Sequence, residues 1–98
     1  MAEGPEGSER VPERRARSQA ALTDFLDNEI NLGLTYLATA KLATDPAHSK
    51  SLLEQVRRIL VSARLFCGRL ENRDQWHAVH DRLNRLEEAL DAFSGEPG

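Results

Sequence analysis

The sequence predicts an all-α fold, an antiparallel three-helix bundle in which a long helical hairpin is closed by a third docked helix. Three observations lead there. Apolar residues recur at three- and four-residue steps along three separate segments, the spacing that lays one stripe along a helix. Two short breaks, Asp45-Pro46 and Asn72-Arg73-Asp74, carry residue types that end one helix and begin the next. No segment shows the strict apolar–polar alternation of a half-buried strand, and no Gly-rich loop or internal repeat is present.

Residues 1–13 hold Gly4, Pro5, Gly7, Ser8 and Pro12 without apolar periodicity, so they are expected to form a disordered N-terminal tail. Helix 1 is expected over about 14–44. Leu22, Phe25, Leu26, Ile30, Gly33, Tyr36, Leu37 and Ala40 mark its buried stripe. Asp45 then suits an N-cap and Pro46 the first helical position, where a missing N–H costs nothing. Helix 2 follows over about 46–71, with Leu52, Leu53, Val56, Ile59, Leu60, Ala63, Phe66, Cys67 and Leu70 on one face. A connection this short requires helices 1 and 2 to pack antiparallel. Asp74 is the expected N-cap of helix 3, which spans about 74–93. Its apolar residues Trp76, Val79, Leu83, Leu86, Leu90 and Phe93 alternate steps of three and four, a narrow seam that suits docking along the hairpin. Residues 94–98, rich in Gly and Pro, are expected to form a flexible C-terminal tail, leaving residues 14–93 as a three-helix domain.

Length and composition bound the function classes. The 98 residues are 40% hydrophobic and 30% charged, which fits one small domain with a thin core. A single Cys closes no intramolecular disulfide, which argues against a secreted disulfide scaffold. No run approaches the roughly 18 apolar residues of a membrane span, and the polar opening MAEGPEGSER does not read as a signal peptide. A cytoplasmic location is expected, with no membrane partner. The net charge of −3 supplies no bulk attraction to nucleic acid, which is not expected as a partner.

The charge is unevenly spread. Residues 18–46 carry Asp24, Asp27, Glu29 and Asp45 against Lys41, whereas residues 47–73 carry Lys50, Arg57, Arg58, Arg64, Arg69 and Arg73 against Glu54 and Glu71. Residues 74–93 turn acidic again, with Asp74, Asp81, Glu87, Glu88 and Asp91 against Arg82 and Arg85. A basic segment between two acidic ones predicts charges that complement one another within the fold or across a dimer. No aromatic platform or nucleic-acid motif stands beside the arginines.

Few residues point to chemistry. His77 and His80 stand one turn apart near Asp74 and Asp81, so they are the metal candidates, but an outward helix face lacks ligands from a second element and no metal is assigned. Glu29 falls inside the apolar arc of helix 1 when residues are stepped 100° apart. It is expected to be a buried polar group that either has a partner, an Arg of helix 2 or the Trp76 indole N–H, or lies where the bundle opens, because an unpaired buried carboxylate is costly. Cys67 lies on the core arc of helix 2 and is expected to act as a small hydrophobe. No nucleophile triad, phosphate loop, paired Glu-x-x-His motif or cofactor fingerprint is present, and neither catalysis nor a cofactor is expected.

The residues that stand out are apolar ones left over. Val61 and Leu65 lie one turn apart on the far side of helix 2 from its stripe, among Arg57, Arg58 and Arg64. Leu32, Leu34 and Leu42 sit at or beyond the margins of the stripe on helix 1. On a thin-cored chain such residues point to an interface centred on Val61 and Leu65, rimmed by Arg57, Arg58 and Arg64.

Leu32-Gly33-x-x-Tyr36 resembles the Leu-Gly-x-x-Tyr core of the first helix of a tetratricopeptide hairpin, where Gly admits the paired helix. The chain resembles small bacterial all-α proteins with such a hairpin, over residues 29–67. That resemblance implies protein binding. Taken together, the residues predict a non-enzymatic helical interaction module whose partner is another protein or a second copy. The alternative is a small-ligand or metal-binding bundle built around Glu29 or His77 and His80.

Overall fold

The computed structural model describes the backbone of residues 3–94 and the side chains of residues 13–93. It is an all-α three-helix bundle: α1 (Glu3–Leu42), α2 (Pro46–Cys67) and α3 (Arg73–Ser94). Each helix packs on both others, with α1 against α2 the most extensive pairing. Gly33 lies beside Ile59 and Phe25 beside Phe66, so α1 and α2 run antiparallel. Asp27 meets Arg82 and Thr23 meets Gln75, so α1 and α3 run parallel. The core sits between the three stripes, with Leu26, Ile30, Val56, Leu83 and Leu86 fully enclosed.

Helix ends differ from the sequence expectation in instructive ways. α1 begins at Glu3, so the segment expected to be a disordered tail is helical from that residue. Pro5 falls in the first turn, where its missing N–H costs nothing, and the Glu and Arg residues that follow are good helix formers. Met1, Ala2 and residues 95–98 lie outside the described residues. At about 1.5 Å per residue, the 40 residues of α1 run far past α2 and α3, which have 22 each. The extents of 68 × 23 × 15 Å reflect this.

α2 starts as its caps predict. Asp45 accepts a hydrogen bond from the Ala47 N–H at 3.0 Å, and Pro46 takes the first helical position. The hydroxyl of Ser49 donates to the Ala40 carbonyl at 3.2 Å, satisfying one of the acceptors left open where α1 ends. α2 stops at Cys67 rather than about residue 71 because Gly68 starts a tighter turn. The Arg69 and Leu70 N–H groups donate to the carbonyls of Phe66 and Cys67, three residues back, and Leu70 still reaches the core.

The N-cap of α3 is Asn72, not Asp74. Asn72 Oδ1 accepts from the Gln75 N–H at 2.9 Å, and its carbonyl accepts from the Trp76 N–H at 2.9 Å. Asp74 instead lies within the first turn, where its charge favours the helix dipole without capping it. The connection between α2 and α3 is held by α1. Gln19 donates from Nε2 to the Arg69 carbonyl at 3.1 Å and accepts at Oε1 from the Glu71 N–H at 2.8 Å.

Candidate functional site

The outer side of α2 carries the most exposed apolar residues of the bundle's middle. Val61 is 72% exposed and Leu65 is 66% exposed, because both stand on the turn of the helix opposite Val56, Leu60 and Ala63, which face the core. With Arg57, Arg58 and Ser62 they line one shallow, almost wholly apolar depression. Arg57 and Val61 also edge a second depression, between α2 and α3, beside Leu60, Arg64, Glu87 and Leu90.

The structure therefore brings Val61, Leu65, Arg57 and Arg58 together on one face, and it gives Arg64 a different place. Arg64 is half-buried and turns toward α3, where it donates to Asn84 Oδ1 at 3.0 Å and pairs with Glu87. At the wheel position 80° from Val56, against 140° for Val61, it lies on the flank of α2 that meets α3. Its guanidinium is thus engaged within the fold, while Arg64 still borders the α2–α3 depression with Arg57 and Val61. Arg57 and Arg58 are exposed, and neither has an ion-pair partner among the described residues. The expected charge complementarity is thus met between α2 and α3 by Arg64 and Glu87. Elsewhere it takes other routes, Arg82 of α3 to Asp27 of α1 and Arg15 to Glu71 at 3.6 Å.

Glu29 is half-buried, not buried, and no buried residue among those described is polar or charged. It has no hydrogen-bond or ion-pair partner among the described residues. The correction has a simple cause. Glu29 lies at the margin of the buried arc toward Phe25, so its methylenes cover apolar surface while the carboxylate stays wet. The Trp76 ring, offered as its partner, lies elsewhere: it stacks on His80 with centroids 4.6 Å apart and planes 10° apart, and meets His77 edge-on at 5.0 Å.

His80 is therefore occupied as a ring surface, while His77 is exposed. Among the described residues no group of three or more His, Cys, Asp or Glu side chains is arranged to hold a metal ion, and Asp74 and Asp81 do not complete one. Cys67 is buried at 2% exposure and its thiol lies 3.9 Å from the Trp76 carbonyl. Burial pushes the thiol pKa up, and the nearby Arg64 charge partly opposes that.

Two features were not foreseen from the residue pattern. One is the Gln19 clamp on the α2–α3 connection, whose partners lie about fifty residues away and have no local signature. The other is a stack along the α1–α2 seam, in which Phe25 meets Phe66 edge-on at 5.3 Å and the Arg69 guanidinium lies over the Phe66 ring at 4.8 Å. Phe66 carried a signal, since it stands at the edge of the α2 stripe.

No protein-family model, no curated protein and no solved structure matches the chain. No described helix is long and apolar enough to cross a membrane.

Proposed function

We propose that the protein is a non-enzymatic, cytoplasmic interaction module that docks another protein through the outer face of α2. The observation that carries this reading is the pair Val61 and Leu65, 72% and 66% exposed on adjacent turns and set in one apolar depression with Arg57 and Arg58. Single exposed apolar residues are ordinary on any protein. Two stacked on one face, flanked by long amphipathic side chains, have the composition of an interface centre, where apolar residues and Arg are enriched. The tetratricopeptide likeness at Leu32, Gly33 and Tyr36 points the same way.

The test is affinity capture from the source cell with the wild type, with Val61→Lys/Leu65→Lys, and with Glu88→Lys on the outer side of α3. The expected outcome is a captured protein retained by the wild type and Glu88→Lys and lost from the double variant. An identical captured set from all three would refute the assignment.

A further inference from the structure

We infer that the partner segment is an acidic amphipathic helix, seated on α2 and reaching into the α1–α2 groove on the side away from α3. This rests on the proposed docking role of α2 and adds the chemistry of what docks. The groove has one side already filled. Leu34 of α1 shares a depression with Arg82 and Leu86 of α3, whereas Phe25 meets Phe66 of α2. Phe25 therefore marks the side of α1 turned toward α2 and away from α3, and Leu32, seven residues on, lies on that same side. Both are exposed at 38%. On α2, Ser62 stands one turn before Phe66 and lines the depression shared with Val61 and Leu65. The hairpin thus offers a band of apolar contacts, with half-buried Glu29 on its α1 edge between Phe25 and Leu32, along the position a fourth helix occupies in a four-helix bundle, so the basic side that draws an acidic partner is that of α2.

Charge selects the occupant. The exposed basic residues on the outer side of α2 are Lys50, Arg57 and Arg58, with Glu54 the counter-charge among them, and Arg69, in the turn after α2, lies over the Phe66 ring at the edge of the groove. Arg64 and Arg82, which face other helices, are each neutralised by a carboxylate, while Arg57 and Arg58 have no such partner among the described residues. A second copy of this chain supplies no matching surface among the described residues. All its large exposed apolar residues lie on α1 and α2, and the outer side of α3, which carries Asp74, Asp81 and Glu88, has none. A two-fold pairing of α2 with itself through Val61 and Leu65 gathers Arg57 and Arg58 of both copies around one patch, and like charges held close repel. A helix with apolar anchors at three- and four-residue spacing and carboxylates on both flanks meets both requirements.

The experiment is selection from a display library of helical peptides, unbiased in charge, on the immobilised full chain, with sedimentation velocity on the same protein. Selected peptides are expected to be net acidic with apolar residues at i, i+3 or i+4. Their binding should fall at least tenfold with Arg57→Glu/Arg58→Glu and also with Val61→Ser/Leu65→Ser, all exposed positions that leave the fold intact. Peptides that are neutral or basic yet lost with Val61→Ser/Leu65→Ser would overturn the acidic partner and keep the docking face, as would a wild-type dimer dissociated by that variant. Selection of nothing, or of peptides indifferent to both variants, would overturn the acidic partner and the docking face together.

Discussion

At Gly33, side chains of α2 and α3 both lie against the backbone of α1. A Cβ placed there would stand 2.8 Å from Leu86 Cδ2 and 3.6 Å from Ile59 Cγ2, and Leu86 is itself enclosed. Adding a methyl group gains about 1 kcal/mol of helix propensity and loses about 1–3 kcal/mol to overpacking. Gly33→Ala should therefore lower the unfolding free energy by no more than about 2 kcal/mol, and Gly33→Leu by clearly more in the same urea melts. A Gly33→Leu protein as stable as wild type would mean that the helices do not meet so closely. Cys67 makes a prediction in pH. Its thiol pKa is raised by burial, so the folded state favours the protonated form. That contribution is complete below the ordinary thiol value of 9.0 and is lost as pH rises through the higher folded value. Stability should fall above about pH 9, and the fall should be smaller in Cys67→Ala. Equal alkaline losses in both proteins would contradict the assignment. Glu29 shows the limit of wheel arithmetic at this scale. Its angle placed it within the apolar arc, but a flexible side chain at the margin of that arc turns its charge outward, which no angle encodes.

At the scale of the element, caps and seams carry the fold. The seam of α3 was fully legible: Val79, Leu83, Leu86 and Leu90 are buried, and Trp76 and Phe93 close its ends half-exposed. The start of α2 was legible too, because Asp45-Pro46 is a strong local signal. The start of α3 was not, because Asn72 and Asp74 are both good caps and only backbone geometry decides between them. Asn72→Ala should cost about 1 kcal/mol through the lost bond to the Gln75 N–H, and Asp74→Ala about 0.3–0.5 kcal/mol through the dipole alone. The reverse order in chemical denaturation would return the cap to Asp74. The start of α1 was hidden for another reason. Its early residues have no apolar stripe, so there is no period to read.

For the whole molecule, area tells the same story as the sequence. A compact chain of 11.0 kDa should expose roughly 5,600 Å², whereas this one exposes 6834 Å². Part of the excess is the stretch of α1 that runs past α2 and α3. The apolar surplus was readable in the sequence as residues off the stripe, and the structure confirms Leu42, Val61 and Leu65 at 83%, 72% and 66% exposure. What the sequence did not disclose is the division of labour among the arginines of α2, since Arg64 and Arg57 sit two turns apart on the same flank yet only Arg64 is bonded to α3. Arg64 holds α3, leaving Arg57 and Arg58 on the open side with Val61 and Leu65. The claim that this open side is the working surface is tested most directly by photo-crosslinking in the source cell, with a benzophenone amino acid placed at Glu54 on the outer side of α2 or at Glu88 on the outer side of α3. A discrete covalent adduct from position 54 and none from position 88 is the predicted result. Adducts from position 88 alone, or equally from both, would contradict it.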